Sequence, residues 1–306
     1  MIILSGGTGT PKLLVGLKQA FKEEELKIIV NTAEDIWVSG NLVCPDIDSV
    51  IYALAGLIDK DKWWGIRDDS FYTHTALKRL NFGEPLMIGD EDRATHVTRS
   101  ELLRQGKSLA EATSLLARRF GIAAKILPMT DEPASVSTKI LTPEGELHFQ
   151  DFWVSKRGVP EVLDVYFDGI ENVKSSEEVM NVLSSRSEEV VLIGPSNPIT
   201  SIGPILSLRG VKEMLKKKKV VAISPIVGNK PISGPAGKLM RAKGFEVSSY
   251  GVFKCYEDFL DVLVIDKGDE CKVDKEVEVV KTDIIIRNDE DSEKLAMFLK
   301  EYLKLS

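Results

Sequence analysis

A regular alternation of short apolar runs with helical stretches constrains the fold of this chain more than any other feature. The apolar runs, which predict β-strands, are residues 2–4, 27–30, 190–193, 220–224, 262–265 and 284–286. Between them apolar residues recur at helical spacing, as Leu13, Leu14 and Leu17 do. Strands that alternate with helices form βα units. The sequence therefore predicts an α/β fold: a Rossmann-like, mostly parallel sheet with helices on both faces.

The first half of the chain departs from this alternation. Three helical stretches follow one another without a strand between them, at residues 72–80, 90–105 and 108–121. They predict a helical excursion within the sheet, at about residues 60–125. Two apolar runs, Val136 to Leu141 and Leu147 to Val154, predict a β-hairpin antiparallel to the main sheet. Since no linker divides the chain, we expect a single α/β domain over residues 1–306.

The composition excludes several classes of protein. Of 306 residues, 43% are hydrophobic and 28% are charged, as in folded globular chains. The formal net charge of −7 provides no overall positive field for a nucleic acid. The apolar runs are far shorter than the roughly 20 residues that cross a bilayer, and Met1 is not followed by a signal peptide. We therefore expect a cytoplasmic protein with no nucleic-acid or membrane partner.

The loop after the first strand is rich in glycine and precedes a helix. It contains Gly6, Gly7, Thr8, Gly9 and Thr10. Backbone amides in such a loop, together with a helix N-terminus, suit a phosphate, although a merely tight turn is an alternative. The loop matches neither the dinucleotide fingerprint nor the P-loop, and the second strand ends at Asn31 rather than at an acid. A nicotinamide site is therefore disfavoured.

Two acidic residues follow the second strand. If the segment is extended, Asp46 and Asp48 point to the same side and suit a Mg²⁺ ion that bridges phosphate oxygens. The alternative is that Asp48 is only the N-cap of the following helix.

A helix predicted from Asp90 carries basic residues on one face. Arg93 and His96 share that face, with Arg99 further along, and together they form a candidate cationic clamp for anionic oxygens. The alternative is an exposed helix held by ion pairs, such as Asp92 with His96.

Two later loops, residues 194–203 and 224–229, are dense in Ser, Asn, Pro and Gly and follow apolar strands. They offer rigid amides and hydroxyls to a nucleotide. Trp63 and Trp64 more often indicate packing than ligand binding.

Taken together, several ordered motifs resemble one family over nearly the whole chain. They are residues 6–12, 31–41, 46–48, 63–65, 92–96, 149–153, 194–203 and 233–238. The sequence is similar to the 2-phospho-L-lactate transferases of coenzyme F420 biosynthesis. The family carries a basic residue more often at the positions of Met87 and Glu91, so a backbone contact is the safer expectation there.

The resemblance implies the reaction and the partners. The donor is lactyl-2-diphospho-5'-guanosine, the acceptor is 7,8-didemethyl-8-hydroxy-5-deazariboflavin (the deazaflavin), and the products are the zero-glutamate form of coenzyme F420 and GMP. Bacterial relatives use the enolpyruvyl analogue of the donor, which is the alternative, and the whole-chain likeness to archaeal members favours the lactyl form. The resemblance also implies Mg²⁺ dependence and a homodimer. A nucleotide-sugar-binding regulatory protein without enzymatic activity is the alternative.

The candidate site residues follow from the loops and the resemblance together. The expected catalytic residues are Asp48 and Arg93, and the expected metal ligands are Asp46 and Asp48. The expected substrate-binding residues are Gly6, Gly7, Thr8, Gly9, Thr10, Asn31, Trp37, Asn41, Asp48, Met87, Gly89, His96, Ser196, Asn197 and Ser201.

Overall fold

The structure is a computed structural model that describes residues 1–185, 189–273 and 276–305. Its α-helices are α1 (Gly9–Ala20), α2 (Pro45–Ala55), α3 (Tyr72–Arg79), α4 (Asp90–Arg104), α5 (Leu109–Arg119), α6 (Glu177–Ser184), α7 (Gly203–Ser207), α8 (Val211–Leu215), α9 (Ala236–Ala242), α10 (Ser249–Tyr256) and α11 (Asp289–Tyr302). Its strands are β1 (Ile2–Ser5), β2 (Lys27–Val30), β3 (Ile36–Val38), β4 (Asn41–Val43), β5 (Lys125–Pro128), β6 (Ser137–Thr142), β7 (Gly145–His148), β8 (Asp164–Asp168), β9 (Val191–Ile193), β10 (Val220–Ile223), β11 (Ile226–Val227), β12 (Lys230–Pro231), β13 (Val262–Asp266) and β14 (Glu278–Thr282).

Seven parallel strands form the central sheet, in the order β14-β13-β10-β9-β1-β2-β5. From β1 the chain builds outward through β2 to β5, whereas from β9 it builds the other way through β10 to β14. The strand order therefore reverses between β1 and β9. In open α/β sheets ligands bind at such a reversal, outside the carboxyl ends of the strands.

Helices cover both faces of this sheet, as predicted. Along β1 successive side chains point to opposite faces. Ile3 belongs to a buried cluster that includes residues of α1, α2 and α11. Leu4 belongs to a second buried cluster that includes residues of α6 to α10. The α/β, mostly parallel fold is confirmed.

Three helices, α3, α4 and α5, follow one another between α2 and β5, where the helical excursion is predicted. The Ser108 hydroxyl accepts a hydrogen bond from the Glu111 amide, and the Glu111 carboxylate accepts one from the Ser108 amide, so a capping box begins α5. The single-domain organisation stays a prediction. Among the described residues, each helix is too short or too polar to cross a bilayer.

Three predicted strands need correction. The hairpin β6–β7 does not join the main sheet, because β6 pairs instead with β8 in a separate antiparallel sheet of three strands. Its second strand ends at His148, and a π-helical turn, Asp151–Ser155, replaces the predicted strand. The run 284–286 is unpaired, since β14 at Glu278–Thr282 is the edge strand beside β13.

Candidate active site

A cavity of about 650 Å³ lies at the carboxyl ends of the central strands. The loops after β1, β2, β9 and β10 contribute Gly7, Thr8, Gly9, Lys12, Glu34, Pro195, Ser196, Asn197, Thr200, Ser201, Pro225 and Ser233 to Ala236. The start of α2 contributes Pro45, Asp46, Asp48 and Ser49. The helical excursion and its loops contribute Asp61 to Gly65, Leu86 to Ile88, Asp92 and His96. The segment after β7 contributes Phe149, Gln150, Trp153, Val154 and Arg157.

The glycine-rich loop packs directly on the loop after β9. A Cβ at Gly9 would overlap the carbonyl oxygen of Pro195, so only glycine allows the two loops to approach this closely. Gly7 has a φ of +57°, in the left-handed region that favours glycine. The amides of Thr8 and Gly9 donate to no acceptor among the described residues, and they lie at the N-terminus of α1. These free donors suit an anion.

Ser196 ties the two loops together. Its hydroxyl donates to the Gly6 carbonyl oxygen at 2.5 Å and accepts from the Thr10 amide at 3.0 Å. The Thr10 hydroxyl lies 2.7 Å from the same oxygen. Ser196 therefore holds the loop in shape as well as lining the cavity.

Asp46 lies under the glycine-rich loop. Its Oδ1 accepts from the Gly7 amide at 2.8 Å, and its Oδ2 accepts from the Asn31 side-chain amide at 2.8 Å. Burial raises the pKa of Asp46 to about 6, although these two hydrogen bonds act in the opposite direction. Asn31 is itself fully buried, so its contribution is to position Asp46.

Glu34 is a second acid on this side of the cavity. It is 5% exposed, and its Oε1 has no hydrogen-bond partner among the described residues. Burial, together with the nearby charges of Asp46 and Asp35, raises the pKa of Glu34 well above its ordinary value. Buried acids without a cation are costly, so this pair is suited to bind one.

Asp48 lies in the first turn of α2 and has different partners from Asp46. Both of its oxygens accept from the Arg99 guanidinium, one at 3.1 Å, and the His96 Nε2 lies 3.2 Å from its Oδ2. The helix begins at Pro45, so the predicted Asp48 N-cap is wrong. The predicted extended segment is wrong as well, since positions i and i+2 on a helix lie on different sides.

His96 bridges two carboxylates, with its Nε2 also 3.1 Å from Asp92 Oδ1. Burial would lower the pKa of His96, but Asp48 and Asp92 outweigh burial and raise it to about 9. Burial would raise the pKa of Asp48, but Arg99 and His96 hold it below its ordinary value. A further hydrogen bond runs from the Tyr52 hydroxyl to Asp92 at 2.8 Å.

The predicted cationic clamp is held by acids of the chain. Arg93 donates to both oxygens of Glu84, at 2.9 and 2.8 Å, and it does not line the cavity. Arg99 is bound to Asp48, and His96 to Asp48 and Asp92. A catalytic role for Arg93 stays a prediction that this ion pair does not support.

The cavity brings together part of the predicted site. The predicted residues that line it are Gly7, Thr8, Gly9, Asp46, Asp48, Met87, His96, Ser196, Asn197 and Ser201. Those that do not are Gly6, Thr10, Asn31, Trp37, Asn41, Gly89 and Arg93. Trp37 and Asn41 lie on the β3–β4 hairpin, and Gly89 is the N-cap of α4. Their binding roles stay predictions.

Sequence analysis missed several residues of the cavity wall. They are Lys12, Glu34, Trp63, Trp64, Asp92, Trp153 and Arg157. The Lys12 ammonium lies 5.5 Å from the centroid of the Trp63 ring, and the Lys62 ammonium 5.4 Å from that of Trp64. The adjacent tryptophans were the available signal, because paired indoles beside a phosphate-type loop suit a flat ligand.

Comparison with known proteins gives consistent matches. The family model described as 2-phospho-L-lactate transferase CofD matches residues 1–301. The 2-phospho-L-lactate transferase of Methanococcoides burtonii is 55% identical over 97% of this chain and 97% of its own. That of Methanocaldococcus jannaschii is 49% identical over 98% of this chain and 97% of its own.

A solved structure shares the fold. It is a member of the UPF0052 family from Bacillus halodurans, with a TM-score of 0.64 and 16% identity. The alignment covers 97% of this chain and 98% of that one. At this identity the likeness concerns the fold alone.

Proposed function

Because the chain belongs to the 2-phospho-L-lactate transferase CofD family and is thus a transferase, we propose that it moves 2-phospho-L-lactate from lactyl-2-diphospho-5'-guanosine to the deazaflavin. The products are the zero-glutamate form of coenzyme F420 and GMP. We choose the lactyl donor over its enolpyruvyl analogue because the archaeal relatives are named for phospholactate.

One observation carries the proposal: a single cavity joins a phosphate-type loop to an aromatic wall. The free amides of Thr8 and Gly9 lie on the loop side, and Trp63, Trp64 and Trp153 belong to the wall. A diphosphate suits the first and a flat deazaflavin ring suits the second. Both substrates of a direct transfer then meet in one site.

The reaction is a phosphoryl-type transfer, in which positioning and neutralisation of charge do most of the work. The terminal ribityl hydroxyl of the deazaflavin attacks the phosphorus that carries lactate. The P–O bond to GMP breaks, and the hydroxyl proton is released. The loop amides of Thr8 and Gly9 donate to the phosphate oxygens as negative charge develops on them.

Asp48 orients the attacking hydroxyl in this proposal. Its carboxylate lines the cavity and is fixed by Arg99 and His96. Because its pKa is held below its ordinary value, Asp48 is a weak proton acceptor and a good hydrogen-bond acceptor. Its contribution is therefore geometric, in line with the catalytic role expected from the sequence.

Of the two acids predicted to bind Mg²⁺, we favour Asp46 over Asp48. Asp48 is bound by Arg99 and His96, whereas Asp46 lies beside the phosphate loop, on the same cavity wall as Glu34 with its unpartnered Oε1. We therefore assign the ion to Asp46 and Glu34. When bound, Mg²⁺ supplies positive charge to the diphosphate oxygens.

Ligand-induced stabilisation distinguishes this function from the alternatives. A ligand at 100 times its Kd raises the free energy of unfolding by about 2.7 kcal/mol. We expect the deazaflavin to raise the melting temperature, and a uridine sugar nucleotide and NAD to leave it unchanged. A response to the sugar nucleotide alone would favour the regulatory protein, and a response to NAD alone would favour an oxidoreductase.

We also propose a cytoplasmic homodimer, as the family resemblance implies. Light scattering during gel filtration measures the mass in solution, and a mass of 33.9 kDa, that of one chain, would contradict the dimer.

A further inference from the structure

The cations on the cavity wall differ in whether an acid already neutralises them. His96 lies between Asp48 and Asp92, and Lys62 donates to Asp59 at 2.8 Å. Lys12 is different, because no carboxylate of the described residues lies within 4.0 Å of its ammonium. Its positive charge is therefore available to an anion in the cavity.

The surroundings of Lys12 fix where that charge lies. The side chain is half-buried, and the ammonium lies over the Trp63 ring. Burial lowers the pKa of Lys12, and no neighbouring acid opposes this effect. A half-buried ammonium that lies over an aromatic face gains more from an anion than a fully solvated one does.

Trp63 adopts a costly conformation to reach this position. Its φ is +61°, a region that bulky residues rarely enter, and the residue as a whole is 7% exposed. The Trp63 amide donates to the Asp59 carbonyl oxygen at 2.7 Å, which holds the turn. Such strain is concentrated at functional sites, so the conformation points to a role for the ring.

Lys12 also lies close to the free loop amides. Gly9 and Lys12 are three residues apart on α1, so they lie on neighbouring positions of one helix face. Both line the cavity. A phosphate at the N-terminus of α1 is therefore within reach of the amides and the ammonium together.

We propose that Lys12 is a catalytic residue that binds the diphosphate of the donor, and that Trp63 is a positioning residue that holds the Lys12 ammonium in place. The assignment rests on the proposed function. It gives to Lys12 the neutralising role that sequence analysis gave to Arg93, whose guanidinium is bound to Glu84.

The test measures binding of GDP, inorganic pyrophosphate and the deazaflavin by calorimetry to the full chain and to Lys12→Gln. Losing a charge-assisted phosphate contact costs about tenfold to a hundredfold in affinity, so we expect that loss for GDP and pyrophosphate. Deazaflavin affinity and melting temperature stay near those of the unchanged chain. Lys300→Gln is the matched control, because the Lys300 ammonium also lies over an aromatic ring, that of Phe21, but outside the cavity, and this variant binds GDP normally.

Two outcomes overturn the assignment. The first is a Lys12→Gln variant that binds GDP with an affinity within twofold of that of the unchanged chain. The second is a loss of GDP affinity in Arg157→Gln but not in Lys12→Gln. Arg157 is the comparison because it is an exposed lining cation without an acid partner among the described residues. Binding of pyrophosphate that depends on Lys12, without binding of GDP or deazaflavin, supports the Lys12 site and contradicts the proposed function.

A second pair of variants tests Trp63. Trp63→Leu removes the aromatic face, and we expect GDP affinity to fall about threefold to tenfold, the size of a cation–π contact. Trp63→Phe retains a ring and restores most of that loss. If Trp63→Leu and Trp63→Phe bound GDP with the same affinity and had the same melting temperature, the positioning role would be contradicted.

Discussion

At the scale of single residues, Asp48 is held in the cavity wall by two cationic side chains, those of Arg99 and His96. It is 4% exposed and pairs with Arg99, which is fully buried. Asp48→Asn leaves the guanidinium buried without its counter-charge, so we expect the free energy of unfolding to fall by about 3–5 kcal/mol. Urea denaturation measures this change.

Asp289→Asn provides the control, because Asp289 pairs with Lys60 at the surface and both side chains are exposed. There we expect a change of no more than about 1 kcal/mol. Equal stability of the two variants would show that the buried pair contributes no more than a surface pair.

His96 makes stability depend on pH. Its pKa rises from 6.5 to about 9 on folding, so the folded chain binds the proton more tightly than the unfolded chain. The resulting stabilisation, about 3 kcal/mol, is complete below pH 6.5 and is lost as pH rises through about 9.

The measurement compares the unchanged chain with His96→Gln between pH 6 and pH 10. We expect the difference in free energy of unfolding to be largest at the acidic end and to shrink as pH rises. A difference that stays constant with pH would mean that folding does not shift the pKa of His96.

The residue patterns predicted the part of the site that lies at the strand ends, but they did not predict which side chains pair with one another there. Ser196 lies in the loop after β9, and Asp46 lies at the end of the segment that leads from β2 into α2, so their place in the cavity could be predicted from the sequence. The pairing of Arg93 with Glu84 could not, because Glu84 lies in a loop without periodicity. Similarly, nothing in the residues around Glu34 predicts that this acid is buried, and only the fold buries it.

At the scale of elements, a close helix contact joins α1, near the start of the chain, to α11, near its end. α11 packs on α1 at Gly16, where a Cβ would overlap the Ser292 carbonyl oxygen. The Ser292 hydroxyl donates to the Lys12 carbonyl oxygen at 2.6 Å and accepts from the Gly16 amide at 2.8 Å. Gly16 is thus fixed by the approach of α11.

Gly16→Ala therefore reverses the usual effect of this substitution. In an isolated helix alanine is favoured over glycine by about 1 kcal/mol, but here overpacking costs about 1–3 kcal/mol. We expect a lower melting temperature by calorimetry. Gln19→Ala, on the exposed side of α1, leaves it nearly unchanged, and a stabilised Gly16→Ala variant would contradict the close packing.

Buried elements were predicted well and edge elements poorly. β1, β2 and β9 are apolar on both faces, so their positions were evident from the sequence. β14 is a partly exposed edge strand with charged residues, so the sequence pattern favours the apolar run 284–286 as the strand instead. Edge strands lack the hydrophobic signal on which such predictions depend.

At the scale of the whole molecule, the site exists because the strand order reverses between β1 and β9. The reversal places the loop after β1 against the loop after β9, nearly two hundred residues later. The hydrogen bond from the Ser196 hydroxyl to the Gly6 carbonyl oxygen joins these two loops. The sequence predicted the class of sheet but not its strand order. The order depends on long-range contacts, which periodicity does not encode.

The aromatic wall of the cavity also depends on the fold of the whole molecule. It is assembled from the turn at residues 61–65 and the π-helical turn after β7, which are far apart in the chain. Each looked like ordinary packing or a strand by itself. Only the fold brings them to the phosphate-type loop.

Turnover by the purified chain tests the central claim most directly. The chain is mixed with the deazaflavin, lactyl-2-diphospho-5'-guanosine and Mg²⁺, and mass spectrometry follows the zero-glutamate form of coenzyme F420 and GMP. We predict equal amounts of both products, with formation abolished by a chelator that leaves the melting temperature unchanged. Recovery of both substrates unchanged, from protein shown to be folded, would contradict the account.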